Sequence, residues 1–162
     1  GFISHTYSSA IYDFYKSDFM YYVGGYDDSK VPTMQEVKNK KFDDTFWNKM
    51  LHLIYIHYTN TQYFLYTRTA NQRQQLEKYA FNTNYQEKFQ ALYRKTFNPI
   101  MSWWALIGGT NTHRTLIMGF SIAGRFDLYL IVCLLKMIPL VIMVLIQKKV
   151  DDKFIKELSK EA

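Results

Sequence analysis

The stretch LYLIVCLLKMIPLVIMVLI, residues 128–146, is an apolar run of nineteen residues with a single charge, Lys136. As an α-helix it is about 28 Å long, which matches the roughly 30 Å hydrocarbon core of a bilayer. Thirteen of its residues are Leu, Ile or Val. Together they favour insertion by about 6 kcal/mol, whereas a central Lys costs about 3 kcal/mol. The alternative, a buried core helix of a soluble domain, is usually shorter and apolar on one face only. We therefore predict one transmembrane helix over residues 128–147.

Lys136 and Pro139 lie one turn apart near the middle of this predicted helix. The Lys136 ammonium starts about 12 Å from the nearer edge of the span, which is farther than its stem reaches. Pro139 has no N–H, so the carbonyl of Leu135 loses its helical partner and the helix bends. We predict that Lys136 and Pro139 form an intramembrane subunit contact, in which an acidic side chain or free carbonyls of a neighbouring subunit bind Lys136. The alternative is that water or a lipid phosphate reaches Lys136 through a thinned membrane.

Side chains typical of a lipid border flank the apolar run. The predicted border residues are Trp103, Trp104, Arg125, Lys148 and Lys149. The positive-inside tendency places the C-terminus in the cytoplasm-like compartment, which is the matrix in a mitochondrion.

Residues 100–127 contain a second apolar stretch, which the polar residues 110–114 interrupt. A second crossing would bury these polar residues at mid-membrane, where their hydrogen bonds are costly to leave unmade. We therefore expect an interfacial or re-entrant segment rather than a second span.

Residues 34–99 predict an extramembrane region of three or four helices. Apolar side chains recur every three or four residues from about Thr45 to Thr67, the spacing of one helix face. Asn98-Pro99 predicts the end of the last of these helices, because proline disfavours a helical residue before it. Helix N-caps are expected from Thr33 with Glu36, from Asp43 and Asp44, from Thr69, and from Asn84 with Glu87.

The two ends of the chain predict less regular structure. Residues 1–33 read as an aromatic, extended or partly helical arm in which Gly24-Gly25 ends any helix. The arm either lies along another protein or packs on the chain's own helices, and the sequence favours neither. Residues 148–162 predict a short, charged, amphipathic helix that Asp151-Asp152 caps. The predicted fold class is therefore mainly α, with an aromatic-rich helical region, one transmembrane helix and a C-terminal helix.

The composition of the chain limits the classes of partner that it is expected to bind. The chain has 14 Tyr, 12 Phe and 3 Trp, which suits interfaces and membrane borders, although codons rich in A and T would produce the same bias. The net charge of +6 is spread along the chain without a basic run, so no nucleic acid is expected as a partner. Lys38, Lys40 and Lys41 are the densest basic residues. They indicate either a solvated helix face or contact with anionic lipid, of which cardiolipin is one candidate. The single cysteine, Cys133, excludes an intrachain disulfide. The start at Gly1 indicates that a targeting segment has been removed.

No set of residues predicts a reaction. His52 and His57 are five apart, about 140° around a helix, whereas metal ligands on one helix need a spacing of three or four. The sequence contains no Gly-x-Ser-x-Gly elbow and no phosphate-binding glycine loop. We therefore expect no catalytic, cofactor-binding or metal-binding residue, and no small-molecule substrate.

The segment Thr110-Asn-Thr-His113-Arg114 resembles the Ser-x-x-His-Arg segment of the cytochrome-type membrane anchor of succinate dehydrogenase. That resemblance implies a quinone or haem site beside His113 and Arg114. The family pattern continues to a Gly and includes three spans and a later haem-ligating His. In this chain Leu116 and Ile117 follow instead, and no later His exists.

The arrangement of the whole chain resembles an accessory subunit of a mitochondrial inner-membrane respiratory complex. The resemblance implies a non-catalytic protein that supports the assembly and stability of an electron-transport complex through contacts with its other subunits and with lipid. The alternatives are the anchor near a quinone or haem site, an accessory subunit of the mitochondrial ATP synthase, and a single-pass adaptor.

Overall fold

The computed structural model describes residues 2–40 and 45–161. These residues form eight α-helices and one short 3-10 turn, and no strand occurs among them. The helices are α1 (Phe2–Gly24), α2 (Met34–Asn39), α3 (Phe46–Leu65), α4 (Ala70–Ala80), α5 (Gln86–Gly108), α6 (Thr110–Ile122), α7 (Phe126–Leu135) and α8 (Met137–Glu161); the 3-10 turn is Asp27–Ser29. The predicted mainly α class is confirmed.

Helix α1 is the central helix of the molecule and contacts α3, α5, α7 and α8. Its Ala10, Ile11 and Phe14 are completely buried. The extended or partly helical arm expected for residues 1–33 is therefore one continuous helix up to Gly24, packed on the chain's own helices. Gly25 follows with a φ of 65°, a left-handed conformation that glycine adopts without steric cost, so the helix ends where the sequence predicted.

Helix α5 continues through Pro99, so the helix end expected at Asn98-Pro99 is wrong. Both residues are exposed, whereas Phe97 and Trp104 on the same helix are buried. Packing of this buried face outweighs the hydrogen bond that proline removes. The segment expected over residues 100–127 consequently comprises the end of α5, the separate helix α6, a turn and the first two residues of α7. Whether it follows an interfacial or re-entrant path stays a prediction.

Helices α7 and α8 carry the apolar run. Regular α-helical structure is interrupted only at Lys136, one turn before Pro139, where the carbonyl of Leu135 lacks a proline N–H. Taken together, Phe126–Lys160 is the one helical stretch among the described residues that is long and apolar enough to cross a membrane. Only 22% of its most apolar window is buried inside the molecule, whereas the core helix of a soluble protein is mostly buried.

The last part of the chain is the continuation of α8 and not a separate helix. Asp151 does not cap a helix, because α8 runs unbroken from Met137 to Glu161. Two of the predicted caps, Thr33 and Thr69, form complete capping boxes, with Glu36 and Gln72 respectively. The box expected from Asn84 is absent, since α5 begins after Tyr85 without a side-chain cap. Asp43 and Asp44 lie outside the described residues, and Thr45 precedes α3.

Two hydrophobic clusters divide the molecule. The closed end is the cluster formed by Tyr21, Tyr22, Leu76, Ala80, Phe89, Tyr93, Phe97, Phe154 and Leu158. The open end is built on Ile11, Tyr15, Trp104, Leu140 and Met143. Most of the exposed large apolar side chains of the described residues lie within residues 46–64 and 103–146; the exceptions are Met20, Tyr26, Phe81 and Tyr85. The closed end therefore resembles a soluble protein, whereas the open end exposes an apolar surface.

Helix α3 has a second exposed apolar surface on its first half. It buries the polar side chains of Thr59, Thr61 and Gln62, and Gln62 donates from Nε2 to the carbonyl of Ala10 at 3.1 Å. Its first half exposes Phe46, Trp47, Met50, Leu51, Leu53 and Ile54. A helix with apolar residues outward requires lipid or a protein partner on that face.

Candidate functional site

Arg68 lies at the centre of a buried ion network between the two hydrophobic clusters. It belongs to the extended linker between α3 and α4, where Tyr66 and Thr69 both have β-region backbone angles. Its Nε donates to Asp151 at 2.9 Å and its Nη1 donates to Asp18 at 3.1 Å. All three side chains are 1% exposed or less. The linker thus ties α1 to α8 through one guanidinium.

The two carboxylates are held by further hydrogen bonds. Tyr66 donates its hydroxyl to Asp18 at 2.7 Å, and Thr67 donates to Asp151 at 2.7 Å. Such bonds to ionised acceptors are among the stronger ones in proteins. The network therefore satisfies the lone pairs that burial would otherwise leave unpaired.

Gln147 extends the network to the open end. Its side-chain amide donates to Asp151 at 3.0 Å and accepts from the indole of Trp104 at 3.0 Å. Trp104 belongs to the open-end cluster, while the rings of Tyr93 and Phe97 from the closed end lie 5.5 and 4.9 Å from the Arg68 guanidinium carbon. The network is consequently the boundary that joins both ends.

The charges in this region balance. Arg73, which donates to the hydroxyl of Tyr63 at 2.8 Å, adds a second cation near Asp18. Burial by itself lowers the pKa of Arg68, but the carboxylate of Asp151 foremost, with Asp18, raises it well above its ordinary value. Two arginines facing two aspartates are a neutral set, which is how a charged group persists in a protein interior. Arg68, Asp18 and Asp151 are buried and bonded to one another, whereas Arg73 is partly accessible, so the buried part of the set links α1, α8 and the linker between α3 and α4.

A second polar cluster lies beside the apolar run. The rings of His5 and His113 stack with centroids 3.8 Å apart and an angle of 7° between their planes, and the hydroxyl of Tyr129 lies 3.1 Å from Nε2 of His113. Burial is the largest cause that lowers the pKa of both histidines, and the charge of Lys136 contributes. Two buried nitrogens, Nδ1 of His5 and Nζ of Lys136, have no hydrogen-bond partner among the described residues.

The stacked rings do not form a metal site. A metal–imidazole bond lies in the plane of the ring, and two nearly parallel planes in van der Waals contact share no point where one ion could bind both. Among the described residues, no group of three or more His, Cys, Asp or Glu side chains is placed to hold a metal ion. Arg114 is exposed, whereas His113 is partly buried against His5, and the quinone or haem site that the succinate dehydrogenase resemblance implies stays a prediction.

The predicted border residues differ in their exposure. Trp103 is 59% exposed, but Trp104 is completely buried, so the expectation that both reach lipid is wrong. Adjacent helical residues point about 100° apart, and on α5 this difference directs Trp104 into the open-end cluster while Trp103 faces outward. Arg125 forms a bidentate ion pair with Asp127, in which Nε and Nη2 donate to the two carboxylate oxygens at 3.0 and 2.8 Å. Both side chains remain exposed. Lys148 and Lys149 are exposed.

Of the histidines on α3, His52 contacts the carbonyl of Val37 at 2.9 Å through Nε2, and His57 is exposed. They do not meet. The residues that sequence analysis missed are Asp18, Arg68 and Gln147. Asp18 carried a usable signal: it occupies a position in the apolar stripe of Ile11 and Tyr22, where a carboxylate requires a buried cation.

Comparison with protein-family models, with curated proteins and with solved structures found no match to this chain.

Proposed function

We propose that this chain is a non-catalytic structural subunit that supports the assembly and stability of a larger membrane complex. The observation that carries the proposal is the apolar first half of α3, Phe46–Ile54, which is exposed although α3 is not a candidate span. Six large apolar side chains on one face exceed the scattered exposure that a free soluble protein shows. A neighbouring subunit that covers this face would shield its six apolar side chains from water.

The mitochondrial inner membrane and an electron-transport complex are the setting that the resemblance in architecture and composition favours. In this setting the candidate span in α7–α8 anchors the chain, lipid contacts Trp103 and Lys148–Lys149, and the closed end with its ion network holds the helices in register. The chain then stabilises its neighbours and carries out no reaction itself.

The test is purification from native membranes in a mild detergent through a tag on the C-terminus. We expect the chain to co-purify with a set of electron-transport subunits, and we expect the amount of assembled complex to fall when the chain is depleted. Purification as a free monomer would contradict the proposal and favour an independent single-pass adaptor. Co-purification with ATP synthase subunits would leave the structural role intact and move it to that complex.

The non-catalytic role has its own test. Single His52→Ala, His57→Ala and His113→Ala variants should leave the turnover per assembled complex within about threefold, because none of these side chains is placed with a nucleophile or a metal. A loss of roughly a hundredfold in any variant, with the amount of assembled complex unchanged, would instead indicate a catalytic or quinone-binding role.

A further inference from the structure

Two adjoining apolar grooves, together called the groove, lie between the α5–α6 side of the open end and the α7–α8 side. One part has a volume of about 480 Å³ and the other about 330 Å³, and they share Ile107 and Pro139. The groove reaches along α7–α8 from Val132 to Ile146, about 21 Å at ~1.5 Å per residue, which is most of the candidate span. The other lining residues are Pro99, Ile100, Trp103, Leu106, Thr112, Leu116, Leu135, Lys136, Ile142 and Met143.

Lys136 is the one charged residue that lines this groove. Its Nζ is buried and has no hydrogen-bond partner among the described residues, although part of its stem is accessible. The groups near it are Cys133 and the two histidines, and none of them is a carboxylate. An ammonium inside a membrane-crossing stretch is costly unless an acceptor meets it. The flexible stem allows Nζ to turn toward an acceptor that enters the groove.

The position of Lys136 restricts what that acceptor is. Lys136 lies about 12 Å from the nearer end of the apolar run, so a phospholipid head group at the membrane border does not reach it. A loop that entered at this depth would expose unpaired backbone groups to an apolar wall, whereas a helix brings its backbone already hydrogen-bonded. A carboxylate is the side chain that complements an ammonium at mid-membrane.

We propose that the groove receives one transmembrane helix of a partner subunit, and that an Asp or Glu near the middle of that helix pairs with Lys136. The inference rests on the proposed function only in requiring that a partner subunit exists. It adds the docking groove, the secondary structure of the partner and the chemistry of the central contact.

Photo-crosslinking in the intact membrane complex tests the groove. The amino acid p-benzoylphenylalanine is placed at Ile142, which lines the groove, or in a matched variant at Val141. These neighbours are similarly exposed, at 51% and 57%, but point about 100° apart on the same helix. We expect Ile142 to give an adduct with one polypeptide whose apolar span contains an Asp or Glu near its middle. Val141 should give no such adduct.

The ion pair is tested by charge exchange. Lys136→Met keeps the stem and removes the charge, and it should reduce the Ile142 adduct roughly tenfold or more, since it leaves the partner's carboxylate buried alone. Lys148→Met, which removes an exposed charge, should not reduce it. Lys136→Glu combined with a change of the partner's acidic residue to Lys should restore the adduct.

Several outcomes would overturn the inference: equal adducts from Ile142 and Val141, an Ile142 adduct with acyl chains alone, a partner without an intramembrane acid, or a yield that Lys136→Met leaves unchanged. Tag purification of the same samples separates the two proposals. If other subunits co-purify but these outcomes occur, the groove inference fails and the structural role stands. If nothing co-purifies, the proposed function fails.

Discussion

Phe154 and Leu145 lie nine residues apart on α8, yet Phe154 is 1% exposed at the closed end and Leu145 is 57% exposed at the open end. The Phe154 ring packs among Phe89, Tyr93 and Phe97, with centroids 5.2 to 6.0 Å away. The side chain of Leu145 is not enclosed by other side chains in this way. Helix α8 therefore contributes Phe154 to a packed core like that of a soluble protein. It also contributes Leu145 to an exposed apolar surface, whose contact with water is unfavourable. The environment around α8 therefore changes along its length, and the change falls at the Arg68 network.

Removal of the Arg68 charge should have the largest effect on folding stability, because Arg68 joins the closed end to the open end. Arg68→Met leaves Asp18 and Asp151 buried without their cation, and we expect a loss of about 3–5 kcal/mol in the free energy of unfolding in detergent. Denaturant titration followed by circular dichroism measures it. The control is Arg125→Met, which breaks an exposed pair with Asp127 and should not shift the transition measurably.

A triple variant separates charge from packing. Arg68→Met with Asp18→Asn and Asp151→Asn removes all three charges at once, and it should recover part of the lost stability because no unpaired ion remains. If the triple variant is no more stable than Arg68→Met alone, the network acts through shape and hydrogen bonding rather than through charge balance.

Side-chain truncation at Phe154 and at Leu145 should give the next largest difference in folding stability. Phe154→Ala should cost about 3 kcal/mol of folding stability, because it opens a cavity in a packed aromatic cluster. Leu145→Ala should change folding stability in detergent by less than about 1 kcal/mol, since its side chain already lies outside the fold. Parallel thermal unfolding of both variants checks this. Equal losses would show that Leu145 is packed in the protein and would remove the distinction between the ends.

The smallest expected effect concerns the approach of α1 to α5 at the open end. A Cβ at Gly108 would clash with the carbonyl oxygen of Ser8 and the Cβ of Tyr12, so Gly108→Ala should cost about 2 kcal/mol. Gly119 on α6 offers the matched control, because an added Cβ there meets nothing within 4 Å. Gly119→Ala should be neutral or stabilise by up to about 1 kcal/mol, as Ala favours a helix. Chemical denaturation of the two variants measures the difference in stability. A Gly108→Ala variant as stable as the original chain would show that α1 and α5 move apart without a loss of stability.

The parts that were predictable from sequence are those that depend on near neighbours. The apolar run, the span of α3, the end of α1 at Gly24-Gly25 and the boxes at Thr33 and Thr69 follow from local periodicity and hydrogen bonds within four residues. Pro99 was misjudged because its local penalty is real but smaller than the packing of Phe97 and Trp104, which no local pattern reports.

The candidate sites were less predictable for the same reason. The subunit contact at Lys136 and Pro139 stays a prediction, which rests on the presence of a charge and a proline in an apolar run. Asp151 was interpreted as a helix cap, because the sequence near it does not show that Arg68 lies against it. His113 was noticed with Arg114, its neighbour in sequence, whereas its structural partner is His5 at the other end of the chain.

The spacing of the Arg68 network along the chain has a consequence for biogenesis. Arg68 is separated from Asp18 by 50 residues and from Asp151 by 83. A ribosome that has released α1 and the α3–α4 linker has therefore not yet made the second acid, which follows the apolar run. Until α8 has been synthesised, Arg68 has only Asp18 of its two acidic partners, so the ion network that joins α1 to α8 closes only after the last helix is made.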